Sequence, residues 1–453
     1  MEQFTITPAI AEDPQAVAAE PSLRDQAEAM KPRLRRDRFI WGIYLTLIVV
    51  SVIEVFCASS RQVTAGNILG PLLKHIALLG GGLVVMLILQ RTHYMRFHRW
   101  AWVIVTFSVL AAIYTIFFGQ NLNEAVRSFS FFGISVQPSE LLKFSAALII
   151  AKLLSEYHTT IDPKNAEDQM RDNKRIIIKV TCIVLFFSAL MINQGLTNAI
   201  LLVLIALSCM LIGGVAWKQF GIVLAIFAVL GLGYGTYKVV KSKLEEKEKT
   251  EQVATTGKPV AKDRTKMRVG RILNFMRTDK YLDKIDNDNC QEQYSYIAQA
   301  NGGMFGVGIG NSRETARIPL AFSDYIYAII IEDTGFIGGM VVLALYLFLL
   351  ARAGRIAMKC KKSFPALLVI GMAVFITFQA LMHMAIVTGA APVSGQPLPL
   401  ISKGGSSVIV TSVALGVMLS VSRFATRKGM RQEMRDSLTT LSDNEMSDNP
   451  TQL

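Results

Sequence analysis

Long apolar runs alternate with short charged blocks from residue 39 to residue 421. A helix needs an apolar run of about 20 residues to cross the hydrocarbon core of a bilayer. Runs of this kind occupy 39–57, 68–89, 97–118, 141–157, 176–192, 196–215, 220–240, 324–350, 364–388 and 408–421. The last gains length if the stretch from Gly404 to Ser407 dips into the membrane. The pattern predicts an all-α integral membrane protein of about ten transmembrane helices, with both termini on one side.

Which side follows from Lys and Arg in the short connections, because cytoplasmic loops carry the excess. One set of connections holds Lys31, Arg33, Arg35, Arg36 and Arg38; Arg91, Arg96 and Arg99; Lys164, Arg171, Lys174 and Arg175; Lys218; Arg352, Arg355, Lys359, Lys361 and Lys362; and Arg423, Arg427 and Lys428. The opposite set is poor in them, with Arg61, Arg127 and Lys403. Both termini are therefore expected in the cytoplasm. The outward connection 241–323 holds fifteen basic residues, but it exceeds the length over which the bias counts. Its charged first part, 241–266, reads as mobile. Its second part, 268–323, has apolar residues and Gly-rich turns and reads as folded over the outer mouth.

Composition fits this picture. Of 453 residues, 52% are apolar and 18% charged, below the roughly one quarter usual for soluble domains. The net charge of +13 lies mostly beside the apolar runs, whereas nucleic-acid binding calls for a basic patch on a soluble fold. Residues 1–37 and 425–453 read as disordered cytoplasmic tails around a membrane domain of 38–424. Residues 1–30 are polar and acidic and lack the apolar core of a signal peptide. Cys57, Cys182, Cys209, Cys290 and Cys360 form no Cys-x-x-Cys pair, hence no disulfide framework or zinc site is expected.

Ionisable residues at membrane depth are costly and point to function unless they cap or snorkel at a helix end. Gln137-Pro138-Ser139-Glu140-Leu141-Leu142-Lys143 opens the fourth span. Ser139 could be an N-cap and Glu140 suits the helix dipole. Neither accounts for Lys143, a cation at the unfavourable end. Glu140 and Lys143 are three apart and can pair on one face. Asp324 opens the eighth span, as an N-cap or as a functional acid. Glu332 projects to roughly the same side as Asp324, while Asp333 points elsewhere. The run from Gly302 to Asn311 is rich in glycine. It reads as a tight surface turn or as backbone able to approach a pyrophosphate closely, and lacks the strand and helix of a nucleotide cradle. Between Gly395 and Ser407, Pro397 and Pro399 block a helix and Gly404 and Gly405 permit a tight entry into the tenth span. Non-helical backbone there must be buried in protein or line a cavity, to which Lys403 adds positive charge. Gln379 and His383 share a face of the ninth span, where a histidine serves either packing or proton transfer.

Taken together these blocks resemble the SEDS family (shape, elongation, division and sporulation) over nearly all of residues 39–424. Gln137 to Lys143 resembles the family's QPSE-x-x-K block, and Gly302 to Asn311 its glycine-rich turn. Ser323 to Ala328 resembles its TDFIFA segment, with Glu332-Asp333 at the acidic pair that follows, and Leu398 to Ser407 its LPLISYGGSS block. The resemblance implies a peptidoglycan glycosyltransferase in the bacterial cytoplasmic membrane. Such an enzyme polymerises lipid II on the outer face and releases undecaprenyl pyrophosphate. It works with a class B penicillin-binding protein and other division proteins. The family's essential acid falls on Asp324, a general base for the attacking sugar hydroxyl. Arg127, Lys143 and Lys403 are candidate cations for the pyrophosphate, with Arg313 and Arg317 behind them. Gln137, Ser139, Glu140, Glu332, Gln379 and Ser406 complete the expected substrate-contact set. A divalent cation, Mg2+ or Mn2+, could assist, without a legible ligand set.

Some positions depart from the family pattern. Gly195 stands where the family has the acid of its QPDLGT-like stretch, and Lys403 replaces the aromatic before the GGSS run. Ser394 stands where many division-type members have lysine, and Leu320 to Ser323 replaces an acidic–His run. The wording of Pro397 to Ser402 and the polar tails lean to the division type over the elongation type. A transporter of lipid-linked precursors is the rival from another class, and would be expected to show paired broken helices in two repeated halves.

Overall fold

The computed structural model describes residues 37–423 apart from 63–68, 119, 123–124, 132–133, 160–161, 193, 257–269, 272–273, 278–282, 287–288 and 320. Each predicted span is a helix. They are α1 (Arg38–Gln62), α2 (Leu69–Leu89), α3 (Met95–Phe118), α4 (Pro138–Leu154), α5 (Ala166–Ile192), α6 (Leu196–Ile212), α7 (Trp217–Thr256), α9 (Ile326–Met358), α10 (Ser363–Val387) and α11 (Gly405–Arg423), with α8 (Cys290–Gly302) in the long connection. Eight of the described helices are long and apolar enough to cross a membrane. The other two spans, α4 and α6, have 17 residues each, about 25 Å of helix. Both stop short of the bilayer's roughly 30 Å and begin at polar groups inside the protein.

Burial orders the bundle. Within their apolar windows 78% of α10 and 83% of α11 is buried, against 6% of α7, so α10 and α11 form the centre and α7 the lipid-facing edge. Nearly every residue of α4 is buried too, and its Ser145, Ala146 and Ala147 let neighbouring backbones come close.

The expected tails, 1–37 and 425–453, fall outside the described residues with one exception. Asp37 belongs to the bundle. Its carboxylate accepts from the Phe39 and Ile40 N–H groups at the start of α1. It also pairs with Arg352 of α9 at 2.9 Å and accepts from Ser422 Oγ of α11 at 3.0 Å. One buried carboxylate thus joins three helices at one end of the bundle.

Two connections hold structure that the hydropathy pattern does not show. Residues 120–136 form a small antiparallel sheet of β1 (Gln120–Leu122), β2 (Ala125–Phe131) and β3 (Ile134–Val136), in chain order. Val126, Phe129, Phe131, Ile134 and Val136 are β-formers, and Phe129 pairs with Val136. Helix α7 runs on to Thr256, through much of the stretch expected to be mobile. Its lysines, glutamates and leucine are good helix formers, and Glu245 and Lys249 stand at the favourable i,i+4 spacing. The helix ends just before the breakers Gly257 and Pro259. The second part of the long connection does pack on the bundle. Ser295 and Gln299 of α8 both donate to the Val387 carbonyl at the end of α10.

The glycine-rich run is neither a free surface turn nor a cradle. Helix α9 breaks at Gly335, with φ 75°, which strands the carbonyls of Glu332 and Asp333 and the N–H groups of Phe336 and Ile337. The loop supplies all four partners. Val307 N donates to the Glu332 carbonyl at 2.9 Å and Gly308 N to that of Asp333 at 3.0 Å, while Phe336 N and Ile337 N donate to the carbonyls of Gly303 and Met304. A Cβ on Gly335 would collide with the Met304 carbonyl, and one on Gly306 with that of Asp333. The carboxylates complete the seam. Asp333 accepts from the N–H groups of Gly310 and Ser312, and Glu332 from Ser312 Oγ and Arg313 N. The expectation that Asp333 points away from Glu332's side is corrected: both acids bind the same loop.

Gly306→Ala is expected to lower the thermal midpoint of the detergent-solubilised protein clearly, since overpacking and backbone strain cost about 1–3 kcal/mol each. Gly231→Ala, where nothing lies within 4 Å, should leave it unchanged or raise it slightly. Equal midpoints for the two would refute the seam.

Candidate functional site: a polar cleft under a re-entrant segment

The site begins at the N-terminus of α4. Gln137 takes the N-cap position in extended backbone and Pro138 the first turn, where a missing N–H costs nothing. Ser139, a candidate cap by sequence, lies inside the helix and is buried. The Gln137 N–H donates to Ser406 Oγ at 2.9 Å, fastening α4 to the first turn of α11.

One turn along α4, Glu140 and Lys143 meet as their spacing predicts. Lys143 Nζ lies 2.7 Å from Glu140 Oε1 and 3.1 Å from Gln379 Oε1 of α10. The side chains are 0% and 1% exposed for Lys143 and Glu140. Desolvating such ions costs several kcal/mol each, and their attraction only partly repays it. An ion pair in this apolar helix therefore marks a use other than stability. Glu140 Oε2 has no partner, leaving an acceptor for a ligand.

The linkage continues into residues 394–404, a non-helical segment ahead of α11. Gln379 Nε2 donates to the Pro397 carbonyl at 3.4 Å. His383 Nδ1 lies 2.6 Å from the Gln396 carbonyl. A carbonyl only accepts, so Nδ1 carries the proton, and the buried Nε2 has no partner. The prolines and glycines of this re-entrant stretch keep it out of a helix, and the carbonyls of Gln396, Pro397, Pro399 and Ile401 accept from side chains of the bundle.

Asp324 hangs from the same segment. Ser402 Oγ donates to the Ser323 carbonyl at 2.7 Å, and Lys403 N donates to that of Phe322 at 3.0 Å. These two bonds fix the one-turn helix Ala321–Asp324. Asp324 is half-buried and accepts from Ser323 Oγ at 3.0 Å. The N-cap of α9 is Tyr325, so the capping alternative for Asp324 is not what the structure forms.

Between α4, the start of α6 and the re-entrant segment lies a small polar cleft with a cavity volume of about 10 Å³ and a mouth open to solvent. Gln137, Ser139, Glu140, Gln194, Asn198 and Gln396 line it. Both amide atoms of Gln194, Asn198 Oδ1 and Gln396 Oε1 are buried without partners. Unsatisfied buried polar atoms are rare, and their convergence fits a polyhydroxylated or amide-bearing ligand. Gln194, Asn198 and Gln396 were not foreseen from sequence. Their only signal was amides beside apolar runs.

The other expected residues are dispersed. Glu332 is fully buried and engaged by the glycine loop, so its carboxylate does not serve the cleft. Arg317 pairs with Glu314 at 3.1 Å, and Arg313 reaches Glu332 through its N–H. Arg127 lies in β2, and its side chain is outside those described. Lys403 points its ammonium over the Phe322 ring, 4.5 Å from the centroid. Among the described residues no group of three or more His, Cys, Asp or Glu converges to hold a metal ion.

A multi-pass bundle with a buried ion pair, a polar cleft and a tethered acid at one end is a membrane-embedded site for a polar ligand. The chain belongs to the cell cycle protein family of FtsW, RodA and SpoVE, whose profile matches residues 37–427. It is 26% identical over 383 residues to the probable peptidoglycan glycosyltransferase FtsW of Bacillus subtilis (strain 168), spanning 83% of this chain and 87% of that protein. It is 28% identical over 402 residues to the protein of the same name from Polynucleobacter necessarius subsp. necessarius (strain STIR1), spanning 84% of each. Among solved structures it resembles a chain of a peptidoglycan synthase complex described for its coordination of polymerization and crosslinking, with TM-score 0.62, 23% identity and coverage of 86% of this chain and 99% of that one. It also resembles the rod shape determining protein RodA of Thermus thermophilus, with TM-score 0.56, 21% identity and coverage of 86% and 98%. At these identities the two structures speak to the fold.

Lys143→Met leaves Glu140 as a buried, uncompensated carboxylate and is expected to destabilise the protein by about 3–5 kcal/mol. The double variant Glu140→Gln, Lys143→Met should recover most of that loss. Thermal unfolding of the wild type, the two single variants Glu140→Gln and Lys143→Met, and the double variant in detergent checks this, and additive losses would contradict a direct pair.

Proposed function

We propose that this chain is a peptidoglycan glycosyltransferase that joins lipid II units into glycan strands, with Asp324 as general base and the Glu140 cleft holding substrate. The observation that carries the assignment of residues is the tether. Asp324 hangs by two hydrogen bonds on the re-entrant segment that also walls the cleft. The family and the names of its relatives support the activity.

The chemistry follows from the groups present. A sugar hydroxyl of one lipid II gives its proton to the Asp324 carboxylate as its oxygen bonds the anomeric carbon of a second lipid-linked sugar. The bond from that carbon to the diphosphate oxygen breaks, and its electron pair leaves with undecaprenyl diphosphate. A half-buried carboxylate is accessible yet partly desolvated, which suits a base. Lys143, Lys403 and Arg127 are the cations proposed to offset the charge that develops on the diphosphate. The unpartnered amides of the cleft are proposed to bind the sugar and peptide.

The lysine and arginine bias supports placing this end of the bundle outside, with both termini cytoplasmic. The FtsW names of the relatives support a division role at the septum. The complex to which one neighbour belongs supports a crosslinking partner, a class B penicillin-binding protein.

Asp324→Ala is expected to bind lipid II but to make no glycan strands when assayed with its partner penicillin-binding protein, a loss of at least about a hundredfold. Wild-type levels of polymer from this variant would sink the base assignment. A wild-type protein that moves lipid II across vesicles and never polymerises it would establish a transporter instead.

A further inference from the structure

Among the described residues one non-glycine residue has a positive φ, Leu400 at 65°. It follows Pro399, and the Ile401 N–H donates to the Leu398 carbonyl at 3.2 Å. Residues 398–401 are therefore a β-turn with proline second and positive φ third, a place that glycine fills at no steric cost. Leucine is strained there, and this one is fully buried. Strain of this kind persists only where the surroundings over-determine it, and it gathers at functional sites.

The surroundings here are two clamps, one on each side of Leu400. Tyr346 of α9 gives its hydroxyl proton to the Pro399 carbonyl at 2.5 Å. Ser51 of α1 gives its own to the Ile401 carbonyl at 3.0 Å. A serine hydroxyl has one proton, and Ser51 Oγ also lies 2.8 Å from His75 Nε2 of α2. That nitrogen must then carry a proton and donate it to Oγ. His75 is 1% exposed, and its Nδ1 has no hydrogen-bond partner. An unsatisfied buried acceptor is costly. What the ring supplies in return is one donor aimed at Ser51.

Beside the clamped turn come the two bonds that hold Asp324, from Ser402 Oγ to the Ser323 carbonyl and from Lys403 N to that of Phe322. Ser402 Oγ also accepts from the Leu398 N–H at 2.8 Å, so turn and tether share one hydroxyl. The one-turn helix Ala321–Asp324 packs on α1 as well. Helix α1 thus meets the element that bears Asp324 both directly and through the turn.

We propose that Ser51 and Tyr346 are positioning residues for the reaction, with His75 orienting Ser51. Together they hold Leu400 in its positive-φ conformation, and the turn in that form sets where Asp324 stands. The proposal rests on the reading of Asp324 as the base. None of the three residues lines the cleft, so removing a clamp displaces the base and leaves substrate binding intact. A displacement of an ångström at a reacting group costs up to about a hundredfold in rate.

The test joins lipid II polymerisation by the full-length protein, assayed with its partner penicillin-binding protein, to hydrogen exchange of the same protein in detergent without substrate. Ser51→Ala and Tyr346→Phe each remove one hydroxyl. Each is expected to lower kcat about tenfold and to leave KM for lipid II unchanged. His75→Leu should do the same, while His75→Gln, which keeps a donor near the place of Nε2, stays near the wild-type value. In Ser51→Ala the amides of Ile401, Ser402 and Lys403 should exchange faster than in the wild type. Wild-type kcat in either hydroxyl variant overturns the clamp. A rise in KM that matches the fall in kcat overturns it too, and so does His75→Gln as impaired as His75→Leu, which marks a packing role. Exchange is read apart from turnover, so the two readings fail separately. A fully active Asp324→Ala beside faster exchange in Ser51→Ala loses the base and keeps the clamp. An inactive Asp324→Ala beside wild-type kcat and exchange in Ser51→Ala loses the clamp alone.

Discussion

Inside the hydrocarbon layer every N–H and C=O that leaves a helix needs a partner within the protein. This chain interrupts its helices in two places, and the rest of the bundle is arranged around satisfying them. In α9 the gap at Gly335 is closed by four backbone bonds from the glycine loop. Ahead of α11 the re-entrant stretch is satisfied by Ser402, Gln379, His383 and Ser51. Glycine serves the first interruption because two backbones approach each other closer than a Cβ allows. Proline and serine serve the second, where the chain has to stay extended and trade bonds with four neighbouring elements.

The site is a by-product of the second interruption. A helix end would present only its own first turn to a ligand. An extended segment presents two sides, and each side here is furnished differently. Toward α4 it meets a neutralised acid–base pair and a ring of amides. Toward α1 and α2 it meets the Ser51 hydroxyl, which is itself bonded to His75. Asp324 is attached to the segment and not to the regular part of α9, so its position depends on the bonds from Ser402 and Lys403. That arrangement separates the buried centre, α10 and α11, from the element that bears the carboxylate proposed as the base.

Much of this was legible in the sequence, and the parts that were not share a cause. The spans follow from hydropathy, and the Glu140–Lys143 pair from a spacing of three on one helix. The re-entrant segment follows from Pro397, Pro399 and Gly404. These are local signals, complete within a turn or two of chain. The loop seam in α9 joins residues about thirty apart, and the Ser402 bond joins residues 79 apart. Nothing in either stretch alone announces its partner. Glu332 shows the difference well. Its phase relative to Asp324 loses meaning because Tyr325 breaks the helix between them, and its partner is decided by a loop that arrives from outside the helix. Gln194 and Asn198 were overlooked because amides beside apolar runs look like ordinary helix-end residues until the opposite wall of the cleft is seen.

Asp37 gives the bundle a property that its static contacts do not name. Its carboxylate is shared by the start of the first helix, by Arg352 and by Ser422, residues 315 and 385 positions further on. During synthesis the first helix is inserted long before either partner exists. Until α9 and α11 follow, that acid lacks both partners, while Trp41, one turn along α1, can already meet Gln90 at the end of α2. The clasp therefore works as a completion signal in time. The clasp is closed only when α11 has been made, and a chain stopped before Ser422 lacks that contact with Asp37.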